Sequence, residues 1–439
     1  MCNIDGKTII DDIKFINMVK IAMHYESYIC TGCSCLCDDI IVDVNNNNIE
    51  KLINICSLGK KKVSPEEGTR IQRPMIRNNE LQGVELDRAL KKSAELLSQA
   101  KRPMVYGLGN ISYEAQAKAL EIAKKIGALF SNNELLNLHS FYSEMKNQSV
   151  HLAIMEEIRD YSDTVLFWRC NPHLTNPRHL ARFSIFPRGR YIERGYEDRV
   201  VITIDREETE MGHFSRFFLK MGDNPDYTIL EGLIKGINGE SINNTEINPK
   251  TLKNIADQLV KSSHGVIFFD PRLSAYPDGK KNMEYLFSLV KSLNCNNQFV
   301  ISPLIEHYNT QGLIELLLRE TGYPLTGCFS KNGVYQPDEE GNMNTLDGVD
   351  AILIAGADPA LSFPPDEIEK LKNIPIILLE PFETSTMSLA DVVFPTAITG
   401  IESDGIAYRI DGIPFRVNKI VTNEYFSDLE ILEGISKYI

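Results

Sequence analysis

Five of the nine cysteines lie in one short segment, and thiols at this density indicate metal chemistry. The spacing is Cys30-x2-Cys33-x3-Cys37, with Cys56 further along the chain. Four such thiolates fit either a [4Fe–4S] cluster or tetrahedral zinc. Zinc sites usually combine two Cys-x2-Cys pairs, so three close cysteines and one distant cysteine favour the cluster. Cys35 is a fifth thiol, and spacing alone leaves it open as an alternative to Cys37.

The residues between these cysteines predict a β-hairpin. An apolar run from Ile40 to Val44 is followed by asparagines at positions 45–48 and by a second apolar run from Ile49. Two short strands joined by a four-residue polar loop have far ends ~5 Å apart. The hairpin would thus bring Cys56 back beside Cys30.

Length and charge exclude several classes of protein. The 439 residues suggest two or three domains at ~150 residues each. The net charge of −14 argues against nucleic acid as a partner. No apolar run is long enough for a membrane span. The first 30 residues contain acids and lack a basic-then-apolar signal pattern, so a cytoplasmic protein is expected.

Beyond residue 75, apolar strand-like runs alternate with helical runs, which predicts an α/β fold with two doubly wound, mostly parallel sheets. The predicted strands are Pro103 to Gly107, Thr164 to Trp168, Val200 to Ile204, Gly265 to Phe269, Phe299 to Ser302, Ala351 to Ala355 and Ile374 to Leu379. The predicted helices include Ala115 to Ile126, Asn282 to Leu293 and Asp366 to Lys372.

Residues at the carboxyl ends of these strands are the place to look for ligand contacts. Asn171, Asp205, Asp358 and Glu380 follow four of the predicted strands. An acid there can accept hydrogen bonds from a ribose or a purine, and nearby Gly or Asn-Pro turns let backbone N–H groups approach a pyrophosphate. Any one of them also fits an ordinary loop, but together they favour a nucleotide-bearing ligand.

Many motifs in order resemble one family. They are Cys30 to Asp39 with Cys56, Phe167 to Pro172, Asn176 to His179, Phe186 to Gly189, Glu193 to Gly195, Thr321 to Pro324, Asp358-Pro359, Ala390 to Val393 and Glu402 to Gly412. From about residue 25 onward, the chain resembles the B subunit of formylmethanofuran dehydrogenase, which carries the catalytic centre. That archaeal enzyme fixes CO2 as a formyl group at the first step of methanogenesis.

The resemblance implies a molybdopterin-oxidoreductase fold, in which a small iron–sulfur β-hairpin region precedes two α/β units. These units hold tungsten or molybdenum on two pyranopterin guanine dinucleotides. The expected boundaries are 1–75 for the cluster region, 76–138 with 302–439 for the first α/β unit, and 139–301 for the second. No room remains before residue 439 for the C-terminal β-barrel domain of single-chain relatives, so a separate subunit is expected to supply it.

The resemblance also implies residue roles and partners. Cys30, Cys33, Cys37 and Cys56 would bind the cluster, and Lys62 would lie between cluster and pterin. Asp205 is the leading guanine partner, and the other candidates for contacts to the dinucleotides are Asn171, Asp358, Glu380 and Arg178. Surface ion pairing is the alternative for Arg178. Expected partners are an amidohydrolase-like subunit, the β-barrel subunit, and a ferredoxin or polyferredoxin.

The sequence departs from the family where the chemistry should be. The family cysteine that binds the metal corresponds to Asn137 or, with one inserted residue, to Leu138. The second alignment recovers the neighbouring family histidine as His139. An active-site arginine corresponds to Ile305, whereas His307 matches its motif. His307 and His139 are therefore the candidate catalytic residues.

Three hypotheses follow. The chain is a working catalytic subunit in which an oxo, hydroxo or sulfido ligand replaces the cysteine, or it is a degenerate homologue that keeps cluster and scaffold for electron transfer or assembly. A zinc-stabilised scaffold is the third. An asparagine amide is a poor substitute for a thiolate on a soft metal.

Overall fold

The computed structural model describes residues 22–64, 69–147, 152–242, 247–275, 278–338 and 346–439. Residues 1–21 of the expected cluster region lie outside the described residues.

The strands are β1 (Ala22–Tyr28), β2 (Ile40–Asn45), β3 (Asn48–Ile53), β4 (Met75–Arg77), β5 (Leu81–Gly83), β6 (Pro103–Gly107), β7 (Leu129–Ser131), β8 (Thr164–Trp168), β9 (Val200–Asp205), β10 (Phe217–Lys220), β11 (His264–Phe269), β12 (Gln298–Pro303), β13 (Gly327–Phe329), β14 (Tyr335–Pro337), β15 (Ala351–Ala355), β16 (Ile376–Glu380), β17 (Val392–Pro395), β18 (Gly405–Tyr408) and β19 (Pro414–Val417). The helices are α1 (Ser57–Val63), α2 (Leu86–Gln99), α3 (Tyr113–Ile126), α4 (Asn133–Leu136), α5 (His139–Asn147), α6 (Met155–Tyr161), α7 (Pro172–Thr175), α8 (Pro177–His179), α9 (Asp226–Ile237), α10 (Pro249–Lys261), α11 (Gly279–Leu293), α12 (Thr310–Thr321), α13 (Pro359–Ser362), α14 (Pro365–Leu371) and α15 (Asp428–Ser436).

The N-terminal region is a three-stranded antiparallel sheet in the order β1-β2-β3. The β2–β3 hairpin was predicted, but β1 was not. The predicted four-residue loop is wrong, because β2 runs to Asn45 and β3 starts at Asn48. Asn46 and Asn47 have φ values of 49° and 65°, as a two-residue type I′ turn requires. The side chain of Asn47 also hydrogen-bonds the backbone N–H and C=O of Thr422.

The second sheet has five parallel strands in the order β10-β9-β8-β11-β12. The central strand β8 is fully buried, and Phe167 stacks on Phe268 of β11 with ring centroids 5.4 Å apart. Parallel strands covered on both faces read as continuous apolar runs. That is why the sequence predicted β8, β9, β11 and β12 to within one residue at each end, whereas β10 was not predicted.

The largest sheet has nine strands in the order β14-β13-β7-β6-β15-β16-β17-β4-β5. Its centre, from β7 to β17, is parallel, and short antiparallel strands lie at both edges. The carboxyl ends of β6, β15 and β16 thus meet at one edge. Gly107 ends β6 with φ of 94°, and a Cβ there would lie 2.7 Å from the carbonyl oxygen of Ala355. The predicted mixed α/β class is confirmed, whereas the expected domain boundaries stay a prediction.

In the part of the chain that the structure describes, every helix is too short or too polar to cross a bilayer.

A buried charge network ties the β18–β19 turn to α6. Arg409 is 3% exposed and donates to both carboxylate oxygens of Glu156 and to Asp411. The side chain of Asp411 is fully buried and also accepts from the backbone N–H of Met155.

We expect Arg409→Met to destabilise the chain by ~3–5 kcal/mol, because it leaves the Asp411 carboxylate buried without its cation. The free energy of unfolding in urea measures this. Arg194→Met, which removes an exposed ion pair with Asp198, is the matched control and should leave stability nearly unchanged. Equal effects of the two substitutions would contradict a structural role for the buried network.

Candidate functional site

The cysteine-rich loop is closed on itself and packed against α1. The backbone N–H of Cys30 donates to the carbonyl of Cys37 at 2.9 Å. A Cβ at Gly59 of α1 would lie 2.7 Å from the Cys30 sulfur, and one at Gly32 would lie 2.8 Å from the Gly59 Cα. Two glycines therefore permit α1 to approach the thiols. Cys56 stands at the N-cap of α1, so the hairpin does return it beside the loop.

The thiols of this loop form one buried neighbourhood. The pKa of Cys30 is raised to about 12, mainly by burial and also by Cys33 and Cys56, although the Gly32 N–H and Lys62 oppose them. Burial also raises the pKa of Cys37, as do Cys33 and Cys30. Thiolates are therefore costly here without a positively charged group among them. A metal centre would supply that charge.

Cys35 lies within the same neighbourhood. It is 1% exposed, and its thiol hydrogen-bonds that of Cys33, which lowers the pKa of Cys33 and raises that of Cys35. Cys35 and Cys37, the two alternatives for one cluster ligand, therefore both lie close to the other cysteine thiols. The ligand set stays a prediction.

Tetrahedral zinc needs four donors ~2.3 Å from a single ion. Among the described residues, no three or more His, Cys, Asp or Glu side chains are arranged to hold one metal ion. A [4Fe–4S] cluster instead offers four iron atoms, each of which binds one thiolate, and the choice between cluster and zinc rests on the cysteine spacing.

Lys62 lies between the thiols and an adjacent cavity. Its Nζ donates to the carbonyl of Thr31 at 2.8 Å and stands 4.0 Å above the ring centre of Tyr308. Burial lowers the pKa of Lys62 to about 8, even though Cys30, Asp428 and Glu380 act in the opposite direction. Lys62 therefore lies next to both the thiol loop and the cavity, and its role between cluster and pterin stays a prediction.

The cavity has a volume of about 440 Å³ and lies at the carboxyl ends of β15 and β16. Its lining brings together residues far apart in sequence. They include Thr31, Lys62, Asn110, His307, Asp358, Glu380, Thr399 and Asp428. Three of the residues predicted from the sequence for cofactor binding, Lys62, Asp358 and Glu380, thus share one cavity.

Burial raises the pKa of two carboxyl groups of this cavity. Burial raises the pKa of Glu380 to about 8, with Asp428 adding to the effect. Burial likewise raises the pKa of Asp428 to about 7. Near neutral pH these groups can donate a hydrogen bond as well as accept one, which suits the mixed donor and acceptor edge of a heterocycle.

Asp358 lines the cavity but is already engaged. Its carboxylate accepts from the backbone N–H groups of Ser385 and Thr386, at 3.0 and 2.8 Å, and from the Thr386 hydroxyl. The side chain therefore fixes the turn after β16. This geometry leaves it less available to a guanine than the sequence suggested.

Asn171, at the N-cap of α7, and Asp205, the last residue of β9, lie at the carboxyl ends of strands in the five-stranded sheet. Neither of them lines that cavity. Burial raises the pKa of Asp205, and Asp270 and Asp226 also raise it, whereas Arg169 opposes them. Asn171 donates to Glu210 at 2.8 Å, but its Oδ1 is buried without a hydrogen-bond partner in the described part of the chain. A buried acceptor left without a donor at a strand end suits a ligand that carries N–H groups.

Arg178 is committed to an ion pair. Its guanidinium binds both oxygens of Asp39, with Nη2 at 2.6 Å, and Arg182 binds Asp39 and Asp38. These charges lie next to the cysteine loop, since both arginines lower the pKa of Cys37. This geometry matches the alternative role of Arg178, which is ion pairing. Contact with a pyrophosphate would require Arg178 and Asp39 to separate.

Neither Asn137 nor Leu138, the two positions that correspond to the missing family cysteine, lines the cavity. Leu138 is fully buried in the hydrophobic core, and the carbonyl of Asn137 accepts from Ser274. His139 Nε2 contacts the carbonyl of Asp338 at 2.9 Å. Ile305 is also in the core, 1% exposed. Of the two candidate histidines, only His307 lines the cavity.

Sequence reasoning missed Glu134 and Asp428. Glu134 lies in α4, within the altered segment, and its carboxylate contacts His307 Nδ1 at 2.8 Å. Asp428 follows Ser427, whose capping box starts α15, so its position in sequence signalled only a helix N-terminus. An acid among leucines, as in Asn-Glu-Leu-Leu, was the one available signal for Glu134.

No family model matches the chain. Its fold is shared with a chain of the formyltransferase/hydrolase complex FhcABCD from Methylorubrum extorquens, solved with methylofuran, at a TM-score of 0.66 and 18% identity over 83% of this chain and 98% of that one. Acetylene hydratase from Pelobacter acetylenicus gives a TM-score of 0.60 at 11% identity, over 94% of this chain and 69% of that one. These likenesses establish the fold class.

Two curated proteins are similar along nearly the whole chain. Each is the B subunit of a tungsten-containing formylmethanofuran dehydrogenase 2. The protein from Methanococcus maripaludis is 29% identical over 94% of this chain and 98% of its own length. The one from Methanocaldococcus jannaschii is 29% identical over 96% and 99%. The resemblance predicted from the motifs is confirmed.

We expect Glu380→Gln to flatten the pH dependence of stability. A buried carboxyl whose pKa is raised stabilises the fold at low pH and loses that contribution as pH rises from ~4.5 toward 8. Wild-type stability should fall over this range by on the order of a few kcal/mol more than that of the always-neutral variant. Urea unfolding at a series of pH values measures the difference.

The matched control is Glu80→Gln, which removes an exposed carboxyl from the β4–β5 turn and should keep the wild-type profile. Parallel profiles for Glu380→Gln and the wild type would contradict a buried, protonated Glu380.

Proposed function

We propose that the chain is the B subunit, the catalytic component, of a formylmethanofuran dehydrogenase complex that acts in methanogenesis from CO2. A tungsten or molybdenum ion on two pyranopterin guanine dinucleotides would supply two-electron chemistry between CO2 and the formyl level. The observation that carries this proposal is the 29% identity, along nearly the whole chain, to the B subunits of two tungsten-containing dehydrogenases. The cavity beside a loop of buried thiols agrees with it.

One [4Fe–4S] cluster, bound by Cys30, Cys33, Cys37 and Cys56, would exchange electrons with the metal centre. Support comes from the burial of the Cys30, Cys33 and Cys37 thiols and from their electrostatic effect on one another. The zinc scaffold is disfavoured because zinc sites usually combine two Cys-x2-Cys pairs, whereas this chain offers three close cysteines and one distant cysteine. Lys62, which contacts the thiol loop and lines the cavity, would bind between cluster and pterin.

One dinucleotide would bind at the carboxyl ends of strands in the nine-stranded sheet, and the other would bind at the carboxyl ends of strands in the five-stranded sheet. Glu380 and Asp428, whose pKa values burial raises, can donate to ring nitrogens in the cavity when they are protonated. Asn171 and Asp205 would receive the N–H groups of a guanine at the edge of the five-stranded sheet. This division gives each sheet one dinucleotide, as expected for ligands at strand carboxyl ends.

The complex would contain a separate β-barrel subunit over the dinucleotides, an amidohydrolase-like subunit and a ferredoxin or polyferredoxin, in the cytoplasm. Support for assembly comes from the FhcABCD chain, which has this fold and belongs to a multi-subunit complex.

A second candidate is a non-catalytic subunit that keeps cluster and scaffold for electron transfer or assembly. The burial of Leu138 and Ile305 in the core favours it, since neither a thiolate nor a guanidinium reaches the cavity from these positions. The FhcABCD complex is named for formyl transfer and hydrolysis, so the fold also serves complexes named for non-redox chemistry.

Serine substitutions will identify the cluster ligands. Anoxically purified wild-type chain should contain ~4 iron and ~4 acid-labile sulfide per chain. Cys37→Ser should lose most of both, whereas Cys35→Ser should keep them, and Cys295→Ser, at an exposed thiol, is the control. The reverse result for Cys35 and Cys37 would assign the ligand to Cys35, and zinc without iron would contradict the cluster.

Metal analysis of the native complex tests the proposed chemistry. We expect about one tungsten or molybdenum and released pterin per chain, together with formate-dependent reduction of a low-potential acceptor. Absence of both metals and of pterin, with iron retained, would contradict the catalytic proposal and support the non-catalytic one.

A further inference from the structure

Glu134 is a buried carboxylate whose hydrogen bonds all come from one turn. It is 8% exposed. Its Oε1 accepts from the backbone N–H of Glu306 at 2.6 Å, and its Oε2 accepts from Thr310 and from His307 Nδ1. Burial acts to raise the pKa of Glu134, but the charge and hydrogen bond of His307, with those of Thr310 and Glu306, outweigh it and lower the pKa. The side chain is therefore an anion despite its burial.

His307 is held from two sides. Its Nδ1 faces Glu134, which places the Nδ1 proton in that hydrogen bond. Behind the ring, Gly109 approaches so closely that a Cβ there would lie 3.0 Å from the His307 Cβ and 3.2 Å from Nδ1. The side chain keeps 39% of its surface exposed and lines the cavity. The ring thus meets the cavity through Nε2, which hydrogen-bonds none of the described residues.

The charges around His307 favour its protonated form. Burial acts to lower the pKa of His307, but the charge and hydrogen bond of Glu134 outweigh it, and Glu306 and Glu380 act in the same direction, so the net shift is upward. The other charged or titratable groups lining the cavity are Lys61, Lys62, Asp358 and Asp428. The Nζ of Lys62 is already engaged by Thr31 and by the ring of Tyr308.

We propose that Glu134 is a positioning residue that keeps His307 protonated with its Nε2–H directed into the cavity, and that this imidazolium receives a small carboxylate such as formate. The proposal rests on the proposed function for the class of ligand. A charge-assisted hydrogen bond from Nε2 would orient one carboxylate oxygen. A neutral imidazole with its proton on Nδ1 would present a lone pair instead and repel it.

Histidine titration in the full chain tests this without any bound metal. With ¹³C-labelled histidine, the His307 signal is assigned by its loss in His307→Gln. The wild-type signal should titrate above the ordinary value of 6.5. Glu134→Gln should lower the pKa of His307 by ~1–3 units. Glu306→Gln, which removes a charge that acts on the ring without a hydrogen bond to it, is the matched control and should lower the pKa of His307 less.

Thr310→Val removes one hydrogen bond to Glu134 while keeping the charge pair, and it serves if Glu134→Gln does not fold. It should lower the pKa of His307 by a smaller but measurable amount. If Glu134→Gln folds, an unchanged pKa of His307 in that variant would overturn the positioning role. If only Thr310→Val folds, an unchanged pKa of His307 in Thr310→Val would overturn it.

Formate is the probe for the ligand class. Added formate should shift the wild-type His307 signal and raise its pKa, and it should do neither in Glu134→Gln. Absence of any effect in the wild type would overturn the assignment of a carboxylate ligand. Because the readout is the histidine itself, a missing tungsten or pterin would contradict the proposed function and leave the Glu134–His307 result standing.

Discussion

The structure depends on how one buried residue satisfies the polar backbone of the cysteine loop. Ser34 lies between two of the cysteines and is 1% exposed. Its N–H donates to Glu306, its hydroxyl donates to the carbonyl of Ile305 at 2.6 Å, and its carbonyl accepts from Ile410. Asn176 donates to the same hydroxyl at 3.0 Å. Since each unsatisfied buried group costs ~1–3 kcal/mol, the loop fixes three distant segments in place.

The hydrogen bonds of Ser34 link the thiol loop to the cavity through few contacts. Ser34 binds the backbone of Glu306, whose N–H binds Glu134, and Glu134 binds the ring of His307. Lys62 forms a second, shorter connection. The two segments that depart from the family are therefore in direct contact, because Glu134 belongs to one and His307 to the other. The two departures thus meet at the contact between Glu134 and His307.

The sequence predicted the elements whose signals are local. Continuous apolar runs marked the parallel strands, and crowded cysteines marked the thiol loop. Positions at strand ends indicated Glu380 and Asp205. What could not be predicted depends on long-range packing: the engagement of Asp358 by Thr386, the pairing of Arg178 with Asp39, and the contact of Glu134 with a turn more than 170 residues away. The two-residue hairpin turn was missed because strand propensity is weak in asparagine.

X-ray diffraction from crystals of the native complex, recorded at the iron and tungsten absorption edges, tests the proposed metal centres most directly. We expect an iron peak among Cys30, Cys33, Cys37 and Cys56, and a tungsten peak, or molybdenum at its own edge, in the cavity beside His307. Iron at the thiols with no heavier metal in the cavity would contradict the catalytic function. Absence of iron at the thiols would contradict both the cluster and the electron-transfer role that depends on it.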